Sequence, residues 1–196
     1  MFAIGLTGGI GTGKSLAGSL LAKYFETVDA DALVHELYRS HEGLIRGIQG
    51  EFGDKAVVRG EVDRTYLREV VFQNPHRLKA LSRIVHPVIA EALRERISLC
   101  RELRKVVIFQ IPLLFENHWE QELDHVILLI CSEETQLQRI LVRDQSTEES
   151  ARKIMATQMP QAQKILLADT VIENTGSREE LESRLEAWRL KAGPGF

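Results

Sequence analysis

Residues 5–18 read GLTGGIGTGKSLAG, directly behind the apolar run Phe2-Ala3-Ile4. Gly8, Gly9, Gly11 and Gly13 crowd one turn, and Lys14 and Ser15 stand at the foot of a helical pattern. Gly8 to Ser15 matches G-x-x-x-x-G-K-[ST] at every fixed position, with a strand pattern before it and a helix pattern after it. Glycines let the backbone take positive φ and turn its N–H groups inward around a phosphate. The helix beginning near Gly13 aims its positive end at the same anion. Lys14 is then placed to reach the β- and γ-phosphates, and the Ser15 hydroxyl to ligate Mg²⁺. A dinucleotide-binding turn fits less well, because Gly9, Gly11 and Gly13 run G-x-G-x-G and Lys14-Ser15 would have no purpose there. The stretch is shaped to hold a triphosphate.

Outward from this loop, short apolar runs alternate with amphipathic stretches. FAIGLT (2–7), KVVIF (105–109), HVILLI (125–130) and TVIE (170–173) are continuous and rich in Val, Ile and Leu, as strands buried on both faces of a parallel sheet are. Helical patterns fill the gaps, so the fold class is α/β. From Pro87 to Leu103, Ile89, Leu93, Ile97 and Cys100 share one stripe, with Pro87 suited to a first turn. Ser177 with Glu180, and Ser146 with Glu149, form capping boxes before a final helix and before a helix ending near Met159. Residues 31–103 contain no strand pattern, only helical patterns broken by turns such as EFGD and QNPH, and read as a helical insertion. A shorter insertion, 132–164, holds two charged helices joined near RDQST; insertions of these kinds serve as a substrate lobe and a closing lid. The terminal AGPGF reads as a frayed end.

The 196 residues suffice for one compact unit with insertions. With 44% hydrophobic and 27% charged residues the composition argues against disorder, and a formal net charge of -3 gives no global pull toward nucleic acid or anionic membrane. Cys100 and Cys131 lie in apolar stretches without a second ligand at metal spacing, which suits buried free thiols in a reducing compartment. No secretory pattern opens the chain and no apolar run approaches the roughly 18 residues of a membrane span. These features predict a soluble, cytoplasmic protein; they leave its oligomeric state open, with a monomer favoured.

A second constellation follows the first helix, in ETVDADALVHEL. Asp29 and Asp31 alternate and project to opposite sides if the backbone is extended. One of them is then placed to orient or deprotonate an acceptor hydroxyl; otherwise the pair is an acidic turn capping a helix that starts near Ala32. IPLLFEN (111–117) ends the third apolar run, either as a core cluster or as a wall of an acceptor pocket that includes Glu116. His86, before Pro87, suits helix entry or packing at least as well as catalysis. Arg139 and Arg143 lie four apart on one helical face, with Lys153 and Lys164 further along. They fit either a transferring phosphoryl group and a base, or a solvated surface.

With these residues in view, the chain resembles the dephospho-coenzyme A kinase family over nearly its whole length. GLTGGIGTGKS, DADALVHEL, VDRTYLREVVFQNP, HPVI, IPLLFE, QLQRILVRD, MATQMP and ADTVIENTG carry the likeness in order. The resemblance implies a P-loop NTPase-type three-layer core with a parallel sheet, at about 1–30, 104–131 and 165–196. It adds a helical acceptor-binding insertion at about 31–103 and a helical lid at about 132–164. It implies transfer of the ATP γ-phosphate to the ribose 3′-hydroxyl of dephospho-coenzyme A, the last step of coenzyme A synthesis, with Mg²⁺.

Carried onto this sequence, Gly11, Thr12, Gly13, Lys14, Ser15 and Leu16 bind ATP and Lys14 stabilises the transferring phosphate. Asp31 is the base or orienting group with Asp29 as fallback, Arg143 closes over the phosphates, and Arg139 sits near the adenine. Arg64, His86, Leu113 and Glu116 belong to the acceptor side. Leu16 stands where relatives carry threonine, which Ser15 offsets. Gln110 and Ile111 precede Pro112 where many relatives carry an acidic residue, leaving Mg²⁺ to Ser15, the phosphates and water. Ile165, Leu166 and Leu167 replace an arginine-rich lid segment, which points to a slower or less tightly closing enzyme. The nearest rival is another small-molecule kinase on the same scaffold. A nucleotide switch is disfavoured because the chain has no N-K-x-D motif and the run at 105–109 ends in Gln110 instead of a metal-linked aspartate.

Overall fold

The structure, a computed structural model, describes residues 2–72 and 74–192. Gln73 of the expected QNPH turn and residues 193–196 of the expected frayed end lie outside the described residues. In chain order the elements are β1 (Ala3–Gly8), α1 (Lys14–Leu21), β2 (Glu26–Asp29), α2 (Ala30–Ser40), α3 (Glu42–Phe52), β3 (Val57–Val58), β4 (Glu61–Val62), α4 (Arg64–Phe72) and α5 (Pro75–Glu102). There follow β5 (Val107–Gln110), β6 (His125–Ile130), α6 (Glu133–Asp144), α7 (Glu148–Ala156), α8 (Gln161–Leu167), β7 (Thr170–Glu173) and α9 (Arg178–Ala192). They divide into two compact units, Met1–Asp29 with Ile97–Phe196, and Ala30–Arg96.

The first unit is built on a five-stranded sheet in the order β2-β5-β1-β6-β7, with every neighbouring pair parallel. Parallel strands need cover on both faces, which is why the central strands β5, β1 and β6 are mostly apolar and buried, while the edge strands β2 and β7 carry polar residues and are partly exposed. On one face Ile4, Leu6, Ile108, Ile127, Leu129 and Ile172 bury against Ala17, Leu20 and Leu21 of α1 and Leu181 and Leu185 of α9. On the other, Phe109 and Leu128 are fully buried and α8 packs on β6. Three layers result, as the apolar runs imply. α9 opens with the expected capping box: Glu180 N–H donates to Ser177 Oγ and Ser177 N–H to Glu180 Oε2, each at 3.3 Å.

The second unit is mainly helical. Arg39 of α2 pairs with Glu61 of β4 at 3.3 Å, Arg96 of α5 with Glu36 of α2 at 3.2 Å, and the Arg77 guanidinium lies over the Phe52 ring. It departs from the expectation of no strand: Val57–Val58 and Glu61–Val62 form a small antiparallel hairpin, turned by Arg59 and Gly60, both at positive φ. That pair of conformations is what a two-residue hairpin turn requires.

Three further boundaries differ from the sequence reading. The helix through Pro87 begins at Pro75, not Pro87. Asn74 Oδ1 accepts from the N–H groups of His76 and Arg77, so Asn74 is the cap and Pro75 the first-turn proline, while Pro87 sits inside a 28-residue helix. α2 starts at Ala30, so Asp31 is helical and the alternation expected of an extended Asp29–Asp31 stretch does not occur. α7 is capped by Thr147, whose hydroxyl accepts from Ser150 N–H, whereas Ser146 Oγ is buried with no hydrogen-bond partner among the described residues. Cys100 and Cys131 are free and buried, and among the described residues no helix is long and apolar enough to cross a membrane.

Candidate active site

β1 ends at Gly8 in the middle of the sheet, and the loop 9–13 joins it to α1. The chain leaves β1 for β2 beyond β5 on one side, while β6 and β7 lie on the other. The carboxyl end of β1 is therefore a topological switch point, where open α/β sheets bind ligands. Gly11 and Gly13 take φ of 80° and 93°. A Cβ on Gly13 would lie 2.3 Å from Asn174 Nδ2, and one on Gly11 2.8 Å from Gln136 O, so space as well as conformation demands glycine.

Thr12 is wholly buried and ties the loop to itself, its N–H and hydroxyl both donating to Gly9 O at 3.1 and 2.7 Å. α1 then begins at Lys14 with no side-chain cap and no acidic residue in its first turn. The first N–H groups of a helix lack intrahelical partners and carry partial positive charge, so this end, with Lys14 on it, suits an anion. The Ser15 side chain is exposed beside it, and Leu16 packs against the core.

β2 and β5 end side by side, Asp29 opposite Gln110. Gln110 is buried, and its carboxamide lies where a Cβ on Gly18 of α1 would come within 2.0 Å of Oε1. The amide that replaces an acidic residue is thus a packing group beneath α1. Among the described residues no group of three or more His, Cys, Asp or Glu could hold a metal alone. Mg²⁺ keeps several waters and takes few protein oxygens beside substrate phosphates, and the exposed Ser15 hydroxyl at the start of α1 fits that pattern.

The two arginines of α6 are placed differently. Arg139 reaches the loop, Nη1 donating to Gly11 O at 3.3 Å. Arg143 forms a two-point pair with its neighbour Asp144, at 2.7 and 2.8 Å, which raises the guanidinium pKa and lowers that of the carboxyl. Lys153 pairs with Glu149 at 2.7 Å. Lys164 is not an exposed lid cation: it is 2% exposed, with Nζ 2.8 Å from Glu116 Oε1. Next to it on α8, Leu166 is 84% exposed, flanked by the partly exposed Ile165 and Leu167.

In the segment 111–117, Ile111, Leu114 and Phe115 are core while Leu113 is exposed at φ 51°, so the segment is both core cluster and surface. Asp31, Arg64 and His86 belong to the Ala30–Arg96 unit, on the first turn of α2, at the start of α4 and within α5, each with an exposed side chain. The Tyr38 phenol is pushed up by burial, offset in part by the Arg64 charge.

Two loop-holding residues escape the sequence reading. Asn174 Nδ2 donates to Thr12 O at 2.8 Å, and Gln158 Oε1 accepts from Ile10 N–H at 2.9 Å. Both lie inside stretches noted for family likeness, MATQMP and ADTVIENTG.

Comparison with known proteins agrees with this geometry. The profile of the dephospho-CoA kinase family matches residues 2–180. A dephospho-CoA kinase of Staphylococcus haemolyticus is 38% identical over 195 residues, covering 98% of this chain and 96% of that protein. Among solved structures, a Thermus thermophilus protein aligns with a TM-score of 0.78 at 36% identity, and a dephospho-CoA kinase from Campylobacter jejuni with 0.78 at 26%, each covering 98% of both chains. The chain is an α/β P-loop kinase and belongs to the dephospho-CoA kinase family, whose reaction is the last step of coenzyme A synthesis.

Proposed function

We propose that this chain transfers the γ-phosphoryl group of ATP to the ribose 3′-hydroxyl of dephospho-coenzyme A, releasing coenzyme A and ADP. The observation that carries the reading is the uncapped amino end of α1 beneath a loop that needs glycine at 11 and 13, with Lys14 on its first turn. Gly11, Thr12, Gly13, Lys14, Ser15 and Leu16 hold the triphosphate through backbone N–H groups, and the Lys14 ammonium offsets charge on the phosphoryl group in transit. Ser15 would hold Mg²⁺, with the phosphates and water completing its shell, and the ion would neutralise phosphate charge when bound.

Asp31 orients the acceptor hydroxyl and takes its proton as the new P–O bond forms and the bond to ADP breaks. Asp29 is the alternative for that role. Arg143 exchanges Asp144 for the phosphates, and Arg139, already against Gly11, lies on the adenine side. Arg64, His86 and Leu113 serve the acceptor. Glu116, grouped with them from sequence, is occupied by Lys164 and the Met159 N–H, which favours a supporting role. The exposed apolar Leu166 and its neighbours supply no extra lid charge, consistent with slower closure. The same reading has a monomer working in the cytoplasm without nucleic acid, in keeping with the net charge of -3.

Locating the new phosphate tests the proposal. ³¹P–¹H correlation spectra of the product should place it on the ribose 3′ oxygen. Phosphate on the 2′ oxygen or on the pantetheine end would overturn the assignment.

A further inference from the structure

Three consecutive loop residues are gripped from three different places: Ile10 by Gln158, Gly11 by Arg139 and Thr12 by Asn174. Ile10 is held twice, since its side chain also packs on the cluster of Leu137, Ile140 and Ala151 between α6 and α7. Gln158 follows α7, and its neighbour Met159 donates its N–H to Glu116 Oε1 at 2.8 Å. Lys164 Nζ reaches the same oxygen at 2.8 Å, while Glu116 Oε2 is buried with no hydrogen-bond partner among the described residues.

A lysine is seldom buried unless paired, and a buried pair gives little net stability for its desolvation cost. Its use here is geometric. Burial pushes the Glu116 carboxyl up, but the Lys164 bond and the Met159 N–H outweigh it and hold the group below its ordinary range, so the anchor stays charged. The pair pins the turn between α7 and α8 to the segment after β5, and that turn presents Gln158 to the loop. Gln158 also lines, with Gly9, Gln136 and Lys164, a cavity of about 580 Å³ beside the loop.

We infer that Gln158 is a positioning residue of the phosphate loop, fixing Ile10 through its N–H, and that the Glu116–Lys164 pair in turn fixes Gln158. This rests on the loop's use of ATP, but its first readout needs no nucleotide. Hydrogen exchange at the Ile10 amide, followed in nucleotide-free protein, should quicken about twofold to tenfold in Gln158→Ala, the range one net hydrogen bond allows. Gln158→Glu, which keeps an acceptor oxygen, should restore the protection. Direct titration with Mg·ATP should show Gln158→Ala weakening affinity by a similar factor.

Glu116→Ala should shift exchange and affinity the same way, and Gln158→Ala with Glu116→Ala should cost little more than Gln158→Ala alone, because both act through one contact. Glu116→Gln, still able to accept from Met159, should be milder. Unchanged Ile10 exchange in folded Gln158→Ala, or full additivity in the double variant, would overturn the inference. Should Glu116→Ala fail to fold, the two Gln158 variants decide alone. If the parent binds ATP but leaves dephospho-coenzyme A untouched, the proposed function fails while the exchange and titration still judge Gln158.

Discussion

In the proposed mechanism Lys14 and Asp31 divide two chemical roles, charge on the phosphate and alignment of the hydroxyl. Lys14→Ala should abolish transfer to within background, measured as ADP release, because preorganised charge at the transferring group supplies much of the acceleration in such enzymes. Asp31→Asn should lower kcat by about 10²–10⁴ while leaving Mg·ATP affinity within about twofold. Equal turnover in variant and parent would remove Asp31 from the mechanism. Residues 8–15 were readable from sequence because a phosphate cradle fixes residue type and spacing over one contiguous turn. Gln158 and Asn174 were not, since they reach the loop across 148 and 162 residues, and a lone carboxamide leaves no periodic trace.

At the level of elements, α1 and α3 contain helix-interior glycines that should respond oppositely to the same change. Gly50 of α3 has open space where a Cβ would stand, so Gly50→Ala should stabilise by about 0.5–1 kcal/mol through propensity and lost unfolded-state freedom. Gly18 of α1 faces the buried Gln110 carboxamide, and Gly18→Ala should destabilise by about 1–3 kcal/mol through overpacking. Urea unfolding of both variants checks the pair; a stabilised Gly18→Ala would mean that Gln110 moves freely.

The buried strands were legible because cover on both faces leaves an uninterrupted apolar run. The β3–β4 hairpin was missed because two-residue strands carry no alternation, although Arg59-Gly60 between VV and EV held the turn signal. The α5 start and the α7 cap were misplaced by one rule each. A proline or serine was read as a boundary when Asn74-Pro75 and Thr147 do that work.

For the whole molecule, acid should weaken the Glu116–Lys164 pair. The Glu116 carboxyl is lowered in the fold from an ordinary value of 4.5, so its stabilisation is present in full above that value and fades as pH falls below it toward the folded one. The stability gap between the parent and Glu116→Gln should therefore hold from pH 7 down to about 4.5 and shrink below it; a gap that stays constant as pH falls further would show that the pair contributes through packing alone. Net charge and composition speak only to broad partner classes and do not locate the division at Asp29 and Arg96, which depends on which helices pack together.

The central claim is transfer from ATP to one acceptor, and the most direct measurement is a mass-resolved assay of purified protein with ATP and Mg²⁺. Parallel tubes would hold dephospho-coenzyme A, adenosine, nucleoside monophosphates or no acceptor. The account predicts coenzyme A with an equal amount of ADP in the first tube alone. Phosphorylation of another acceptor in preference, or bound ATP with no acceptor phosphorylated, would contradict it.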